Sequence, residues 1–259
     1  MYNYFLWLLK LGALFNLYFL WQSLISPFVI VDAHLVIPAQ IFFVVSIYRC
    51  LLPVNYTTNA VLHDFFMSSI FLTRFFATIC EVVYIYQFSY LLKIVNDHQI
   101  PLVDIFSCLM IVQVIISQCF AWSAILTGRL RLYFYEELGW GVIFIFNTIA
   151  SAILYWNLDN IGGCELLLQI NLFFGVLYVP WQWYHLKSIK LRTKNVDVNN
   201  KIKAVITWSL LVDGLYKSIQ VKNLTTQPEA WGGCIGMTWM IGYWATLIPA
   251  WLYLIIITV

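Results

Sequence analysis

The sequence has few charged residues for its length. Only 10% of its 259 residues are charged and 62% are hydrophobic, whereas about 25% of residues are charged in an average soluble domain. This shortage excludes a soluble globular protein. The 14 lysine and arginine residues nearly balance the 12 acidic ones, which leaves a net charge of +2. A protein that follows a phosphate backbone needs a clustered basic surface, so nucleic-acid binding is excluded as well.

Familiar catalytic and ligand-binding motifs are also missing. The chain contains no G-x-S-x-G motif, no P-loop, and no G-x-G-x-x-G sequence that opens a helix after a strand. Its six cysteines form no C-x-x-C pair, and its four histidines show no H-x-x-H or H-x-x-x-H spacing. A disulfide framework, a zinc or di-iron site and a bis-histidine haem therefore lack their ligands. We expect no metal and no other cofactor.

Long apolar runs dominate the chain. They cover residues 4–25, 35–52, 65–92, 102–127, 138–156, 166–184 and 235–258. Each is close to or above the roughly 20 residues that a helix needs to cross a bilayer. The sequence thus predicts an all-α, polytopic integral membrane protein whose seven transmembrane helices form a single domain, residues 1–259, in a cell inner membrane or an organelle membrane.

Basic residues predict the orientation, because cytoplasmic loops carry an excess of lysine and arginine. Threading seven spans places eleven basic residues on one side: Arg49, Arg129, Arg131, Lys187, Lys190, Arg192, Lys194, Lys201, Lys203, Lys217 and Lys222. The opposite side holds Lys93 together with Asp32, Asp97, Asp104, Asp159 and Glu165. We therefore expect the N-terminus inside, the C-terminus outside, and the basic loop 187–231 in the cytoplasm.

This cytoplasmic loop contains an amphipathic segment. From Lys201 to Gln220, basic residues alternate with apolar ones, and Asp213 and Gly214 interrupt the apolar pattern. The uninterrupted part has about ten mostly apolar residues, which is too short to span a bilayer. We interpret the segment as a helix that lies in the membrane interface; an eighth span is the alternative.

Ionisable residues occur inside the third apolar run. Asp64 is expected to open this helix at its cytoplasmic end, and at about 1.5 Å per residue Arg74 would lie roughly 15 Å and Glu81 roughly 25 Å further along. Arg74, Thr78 and Glu81 are spaced i, i+4 and i+7, which places them on one face. Because a charged side chain inside a bilayer is unfavourable, such residues indicate a functional site. The alternative is a buried ion pair that only fixes helix packing.

Amide and hydroxyl side chains are spread over the next three spans. They are Gln113, Ser117, Gln118, Asn147, Gln169 and Asn171. Isolated hydrogen bonds inside a membrane hold helices together at about 0.6 kcal/mol each, but this number of amides exceeds what packing needs. The sequence predicts a polar cavity bounded by helices 3 to 6, in which Thr78, Gln113, Gln118 and Asn147 contact a hydrophobic small-molecule substrate.

Two adjacent glutamates, Glu136 and Glu137, precede the fifth apolar run. Glu136, Trp140 and Asn147 fall on one helical stripe. Two interpretations stay open. Acidic side chains in the first turn of a helix complement the helix dipole, whereas a desolvated glutamate that keeps its proton can act as a general acid.

The stretch from Glu136 to Ile143, two glutamates followed by bulky apolar residues, resembles the paired-glutamate motif of the small heptahelical carotenoid cyclases of bacteria, archaea and fungi. The resemblance implies a reaction that starts when a carboxylic acid protonates an alkene. Tyr135 stands where those enzymes usually have a proline, and this chain contains no second glutamate pair.

Aromatic residues make up 18% of the chain. About half of the tryptophans lie near predicted interfaces, where such rings form belts. Rings deeper in the spans are candidates for lining a pocket, because their faces stabilise a carbocation or a cationic ligand. These are Tyr84, Trp122, Trp140, Trp239, Tyr243 and Trp244. Packing is the alternative for each of them.

Three functions are compatible with these residues. The favoured one is an integral membrane enzyme that cyclises or isomerises a hydrophobic lipid or isoprenoid; its catalytic candidates are Glu81, Glu136, Arg74, Glu137 and Asp64. The second is a transporter or channel for a small solute or proton, with an intramembrane charge as gate or relay. The third is a non-catalytic subunit of a membrane complex, and protein partners stay open. Transport is less favoured because helices 3 to 5 show no glycine or proline break at mid-membrane and no inverted repeat is visible.

Overall fold

The computed structural model describes residues 2–29, 32–97, 99–157, 162–199 and 206–259. Its helices are α1 Tyr2–Ile25, α2 Ala33–Leu51, α3 Ile70–Asn96, α4 Pro101–Thr127, α5 Arg131–Asn157, α6 Glu165–Asn199, α7 Trp208–Gln220, α8 Gly233–Met240 and α9 Leu247–Thr258. Within these residues, seven helical segments are long and apolar enough to cross a membrane. The all-α, seven-helix prediction is therefore confirmed. Asp159 and the first residues of the predicted interfacial helix, 201–205, lie outside the described residues.

Local sequence signals explain several helix ends. The hydroxyl of Ser69 accepts a hydrogen bond from the N–H of Leu72 over 3.3 Å, as an N-cap serine does, and α3 begins at the next residue. Pro101 opens α4, where its missing N–H is not needed. Gly128 ends α4 with a φ of 67°, a conformation that glycine adopts without strain.

The chain divides into two compact units. The first unit contains residues 1–84 and 216–259, which include α1, α2, the first half of α3, α8 and α9. The second unit contains residues 85–215, which include the second half of α3, then α4, α5 and α6.

A small sheet joins two loops of the first unit. Strand β1, Val54–Asn55, pairs antiparallel with β2, Ala60–Val61, and β2 pairs parallel with β3, Asn223–Leu224. The hydroxyl of Tyr48 on α2 donates to the carbonyl of Met67. This hydrogen bond holds the loop between α2 and α3 against the end of α2. The loop between α2 and α3 is thus an ordered part of the unit.

Glycines allow the helices of the second unit to approach closely. A Cβ atom added to Gly139 on α5 would lie 1.9 Å from Oγ of Ser117 on α4. A Cβ atom added to Gly175 on α6 would lie 1.8 Å from Oγ1 of Thr148 on α5. Small residues at contacts between membrane helices are common, because close backbone approach supplies the van der Waals contact that associates them.

Helix α7 has 13 residues, fewer than the roughly 20 that a span requires, so the described chain does not support an eighth span there. Its exposed apolar residues are Trp208, Val212, Leu215 and Tyr216, which form a stripe at helical spacing. This amphipathic pattern fits the predicted interfacial helix. Helix α6 extends to Asn199, so the first part of the loop predicted from residue 187 is helical.

Candidate functional site

Arg74 and Glu81 form an ion pair on α3. The Nη2 atom of Arg74 donates to Oε2 of Glu81 over 3.2 Å, and the two side chains are only 3% and 8% exposed. The residues are two helical turns apart, about 10 Å along the axis, and the long arginine side chain bridges this distance. The sequence prediction of one shared face is confirmed. Thr78 lies half-buried between them on the same helix.

The expected depth of the pair is wrong, because α3 begins at Ile70 and not at Asp64. The Ser69 cap stops the helix from extending further toward the N-terminus. Arg74 therefore lies about 6 Å and Glu81 about 16 Å from the helix start. The backbone of Arg74 is therefore close to the end of the span and that of Glu81 is nearer its middle, and the arginine side chain reaches along the helix to the carboxylate.

Asp64 does not join this pair. It lies in the loop before α3, and 69% of its side chain is exposed. Its Oδ1 atom accepts a hydrogen bond from Nζ of Lys222 over 3.2 Å. Because the carboxylate is largely exposed to solvent, the pair contributes little to stability. Asp64 is therefore a surface residue and lies outside the buried ion pair.

Tyr56 connects Arg74 to a second buried arginine that sequence reasoning did not select. Cζ of Arg49 and Cζ of Arg74 lie 5.1 Å and 5.5 Å from the centroid of the Tyr56 ring. Arg49 also contacts the ring of Trp244, with Cζ 5.0 Å from the centroid. Ring faces attract cations, by about 2 kcal/mol or more once water is removed. The hydropathy pattern placed Arg49 at the end of a span, and only the fold brings it to Tyr56.

Aromatic side chains pack next to these arginines. Tyr84 is fully buried, and its ring centroid lies 5.6 Å from that of Phe42 and 6.0 Å from that of Tyr243. The ring centroids of Tyr243 and Trp244 lie 4.6 Å apart. Three of the predicted pocket-lining rings, those of Tyr84, Tyr243 and Trp244, therefore form one cluster in the first unit.

The last span contains a break that its hydropathy does not reveal. Residues Ile241–Thr246 form a π-helical segment between α8 and α9. Pro249 follows it; proline has no N–H to bond the carbonyl of Ala245, four residues earlier, and its ring crowds that carbonyl. Within the segment, the carbonyl of Trp244 accepts a hydrogen bond over 2.9 Å from Nδ2 of Asn16, which is fully buried. Such segments occur frequently at functional sites.

The second unit contains the predicted glutamate pair. Helix α5 begins at Arg131, so Glu136 lies in its second turn. The helix-dipole interpretation of Glu136 is therefore wrong, because that effect fades within the first turn. Glu136 is buried. Glu137 is half-buried; its Oε2 accepts a hydrogen bond from Nε2 of Gln182 over 3.1 Å, and its Oε1 lies 4.0 Å from Nε2 of His185.

Three buried polar side chains meet between α5 and α6. Nδ2 of Asn171 donates to Oγ of Ser151 over 2.9 Å and to Oδ1 of Asn147 over 3.4 Å. These bonds connect two helices of one unit, as expected for polar contacts that hold membrane helices together. Gln169 does not take part, because it is exposed at the start of α6 and bonds to Glu165.

The other predicted contact residues lie on α4 and α5. Gln118 and Trp140 are buried, and Gln113 and Trp122 are half-buried. Nε2 of Gln113 lies 2.7 Å from the Cβ position that Gly139 leaves empty. The cavity bounded by helices 3 to 6, and substrate contact by any of these residues, stay predictions. No protein-family model, curated protein or solved structure matches the chain, so function is inferred from the side chains themselves.

Proposed function

We propose that the chain is an integral membrane enzyme that acts on a hydrophobic lipid or isoprenoid substrate within the bilayer. The observation that carries this proposal is the burial of charged groups in membrane-spanning helices. Among the described residues, the buried charged side chains are those of Arg49, Arg74, Glu81 and Glu136. A charged side chain inside a membrane-spanning helix is unfavourable. Such residues are typical of sites that act on a ligand, an ion or a proton.

Acid-initiated cyclisation or isomerisation is the reaction that we propose, with Glu136 as the proton donor. Glu81 serves Arg74 as its counter-ion, and Glu136 is the other buried carboxyl among the described residues. Its proton passes to one carbon of an alkene, and a carbocation forms at the other carbon. Ring closure or double-bond migration follows, and loss of a proton from a neighbouring carbon restores a neutral product. Trp140, buried one turn further along α5, offers the kind of ring that stabilises such a cation.

The test compares two neighbouring glutamates. Glu136→Gln keeps the shape and hydrogen bonding of the side chain but removes the transferable proton. Loss of an essential general acid lowers the rate by roughly 10²- to 10⁴-fold. Glu137→Gln is the matched control, since Glu137 is half-buried and bonded to Gln182; it should keep most of its activity. The measurement is conversion of a linear polyene, for example lycopene, by purified protein in detergent, with equal thermal stability of all variants.

Full activity of Glu136→Gln would contradict the assignment of the donor. The same assay on Glu81→Gln would then decide whether the reaction belongs to the carboxyl of the first unit. Absence of any lipid conversion by the wild-type protein would count against the enzyme and in favour of the second candidate.

Transport of a small solute or proton is that second candidate, and the π-helical segment Ile241–Thr246 favours it. Interrupted helices line the binding sites of many transporters, and this break lies within a candidate span. The test is a flux assay in proteoliposomes that contain a pH-sensitive dye. Proton flux in the wild-type protein that is lost in Glu81→Gln, together with no lipid conversion, would replace the enzyme proposal with transport.

A further inference from the structure

Arg49 is a buried cation that has no carboxylate partner among the described residues. It is 3% exposed. Its Nη2 atom donates to the carbonyl of Val54 over 3.4 Å, but its Nε and Nη1 atoms are buried and find no hydrogen-bond partner in the part of the chain that the structure describes. A guanidinium stays protonated at any physiological pH and carries five N–H donors. A charge in such surroundings is stable only when it is paired and hydrogen-bonded.

The charges around Tyr56 do not balance. Arg49 and Arg74 contribute two positive charges, and Glu81 contributes one negative charge through its 3.2 Å contact with Arg74. One positive charge is left over. The remaining buried charged residue of the described chain, Glu136, belongs to the second unit. The group therefore lacks one negative charge.

The donors around Arg49 suit an oxygen anion. Phosphate and carboxylate groups match the planar guanidinium because they accept paired N–H hydrogen bonds. The rings of Tyr56 and Trp244 attract the cation but carry no negative charge. Ser46 lies one turn before Arg49 on α2, and its buried Oγ atom has no hydrogen-bond partner among the residues described. Residues three apart on a helix are neighbours, so the Ser46 hydroxyl lies on the same face of α2 as Arg49.

The position of Arg49 suits a lipid. It lies in the last turn of α2, at the end of a candidate span, where the phosphates of bilayer lipids lie. Phe65, Phe66 and Met67 are exposed, and we call this segment the apolar lip. The hydroxyl of Tyr48 donates to the carbonyl of Met67, so the lip is held beside the end of α2. Exposed aromatic and aliphatic side chains at a span end insert into the boundary between headgroups and acyl chains.

We infer that Arg49 binds the oxyanion group, a phosphate or a carboxylate, of a lipid whose hydrophobic chain lies along the apolar lip. The bound anion supplies the missing negative charge and accepts the hydrogen bonds that Nε and Nη1 do not make with the described residues. This site is separate from the proposed chemistry of Glu136, and its test requires no turnover.

The experiment measures binding by calorimetry in dodecyl maltoside, a detergent that carries neither charge nor phosphate. The probes are geranylgeranyl phosphate, the uncharged geranylgeraniol, and inorganic phosphate. Arg49→Gln should weaken binding of geranylgeranyl phosphate about 10- to 100-fold, because it removes charge-assisted hydrogen bonds. Arg131→Gln, an identical change at an exposed arginine, is the matched control and should bind like the wild-type protein. Geranylgeraniol should bind more weakly than the phosphate and equally to all variants.

A second readout separates ligand binding from a purely structural role of Arg49. Without ligand, Arg49→Gln should melt at the same temperature as the wild-type protein or higher, because it removes an uncompensated buried charge. Geranylgeranyl phosphate should raise the melting temperature of the wild-type protein but not that of the variant. A lower melting temperature of ligand-free Arg49→Gln would instead show that the arginine only holds the rings together. Arg49→Lys, which keeps the charge but loses the planar fork, should also bind the phosphate more weakly.

Equal binding of the phosphate and the alcohol, or unchanged affinity in Arg49→Gln, would overturn the inference. Inorganic phosphate that binds as tightly as geranylgeranyl phosphate would overturn the lipid part of it and assign the site to a soluble anion. Phosphate binding without any lipid turnover would count against the proposed enzyme alone, and turnover of a polyene without phosphate binding would count against the anion site alone.

Discussion

The two units of the chain bury different kinds of polar group. The first unit buries Arg49, Arg74 and Glu81, whereas the second buries mainly amides and hydroxyls, such as Asn147 and Asn171. An amide carries both donors and acceptors, so two of them satisfy part of each other's needs without any ligand. A guanidinium carries donors only and needs an anion.

This difference separates packing from ligand binding. The Asn171 contacts in the second unit stay within a pair of neighbouring helices, as interhelical hydrogen bonds do. The charged group of the first unit is incomplete, because its charges do not sum to zero. In the second unit Glu136 is the exception, as the one buried charged residue described there. The charge balance of a group of buried polar residues therefore distinguishes ligand binding from packing better than the number of those residues does.

The largest effect is expected from breaking the ion pair. Glu81→Ala leaves Arg74 charged and without this partner, and breaking a buried pair typically destabilises a protein by about 3–5 kcal/mol. Asn171→Ala removes neutral hydrogen bonds in the second unit and should cost about 0.6 kcal/mol, with an upper range of about 1.7 kcal/mol. The measurement is the free energy of unfolding in mixed micelles.

The double variant Glu81→Ala with Arg74→Met is the control for this comparison. It removes both charges at once and should recover much of the lost stability, because no uncompensated charge is left by the broken pair. If Glu81→Ala and Asn171→Ala destabilise the protein equally, the distinction between the two units does not hold.

A smaller difference is expected between two glycines. A Cβ atom added to Gly12 would lie 2.2 Å from Cβ and 2.7 Å from Cα of Ala245 in the π-helical segment. Neither atom can rotate away, so Gly12→Ala should destabilise the protein by about 1–3 kcal/mol. Gly139→Ala in the second unit meets the Oγ atom of Ser117 at 1.9 Å, and a hydroxyl can rotate to another position.

The thermal unfolding temperatures of these two variants provide the measurement. Gly12→Ala should melt clearly below the wild-type protein, and Gly139→Ala should melt closer to it. The opposite order would mean that the π-helical segment accommodates an added methyl group with less loss of stability than the contact between α4 and α5 does.

The spans and the ion pair could be predicted from the sequence because both depend on local information. Apolar length determines which helices cross a membrane, and the spacing of Arg74 and Glu81 determines their common face. The sequence prediction missed the start of α3, because it gave more weight to the apolar run from Phe65 onward than to Ser69, which caps the helix. The same holds for α5, whose first turn lies before the apolar run.

The charged group of the first unit depends on contacts between residues far apart in the sequence. Tyr56 lies in a hairpin turn, Arg49 ends a span, and Trp244 lies in the π-helical segment. No periodicity links them, so Arg49 served only as a marker of orientation and Tyr56 was not selected at all. The position of Trp244 depends on the break before Pro249, and a hydropathy profile does not distinguish a π-helical segment from a regular helix.

The smallest perturbation, the labelling of single cysteines, tests the predicted orientation of the chain in the membrane. Cys164 lies just before α6, and Lys190 is exposed near the other end of the candidate span. The predicted topology places Cys164 outside and Lys190 inside. A membrane-impermeant maleimide should therefore label Cys164 in intact cells and should label Lys190→Cys only after permeabilisation. Cys164→Ala identifies the signal that belongs to the native cysteine.

The pH dependence of this labelling provides an internal check. Burial raises the pKa of the Cys164 thiol, so less of it is thiolate at neutral pH than of an ordinary exposed cysteine. Because the thiolate is the reactive form, labelling of Cys164 should be slow near pH 7 and should increase with pH beyond the point at which Lys190→Cys is fully reactive. Labelling of Lys190→Cys in intact cells would invert the orientation. The end of α2 that carries Arg49 would then face the outer leaflet, and the anionic lipid would have to be sought there.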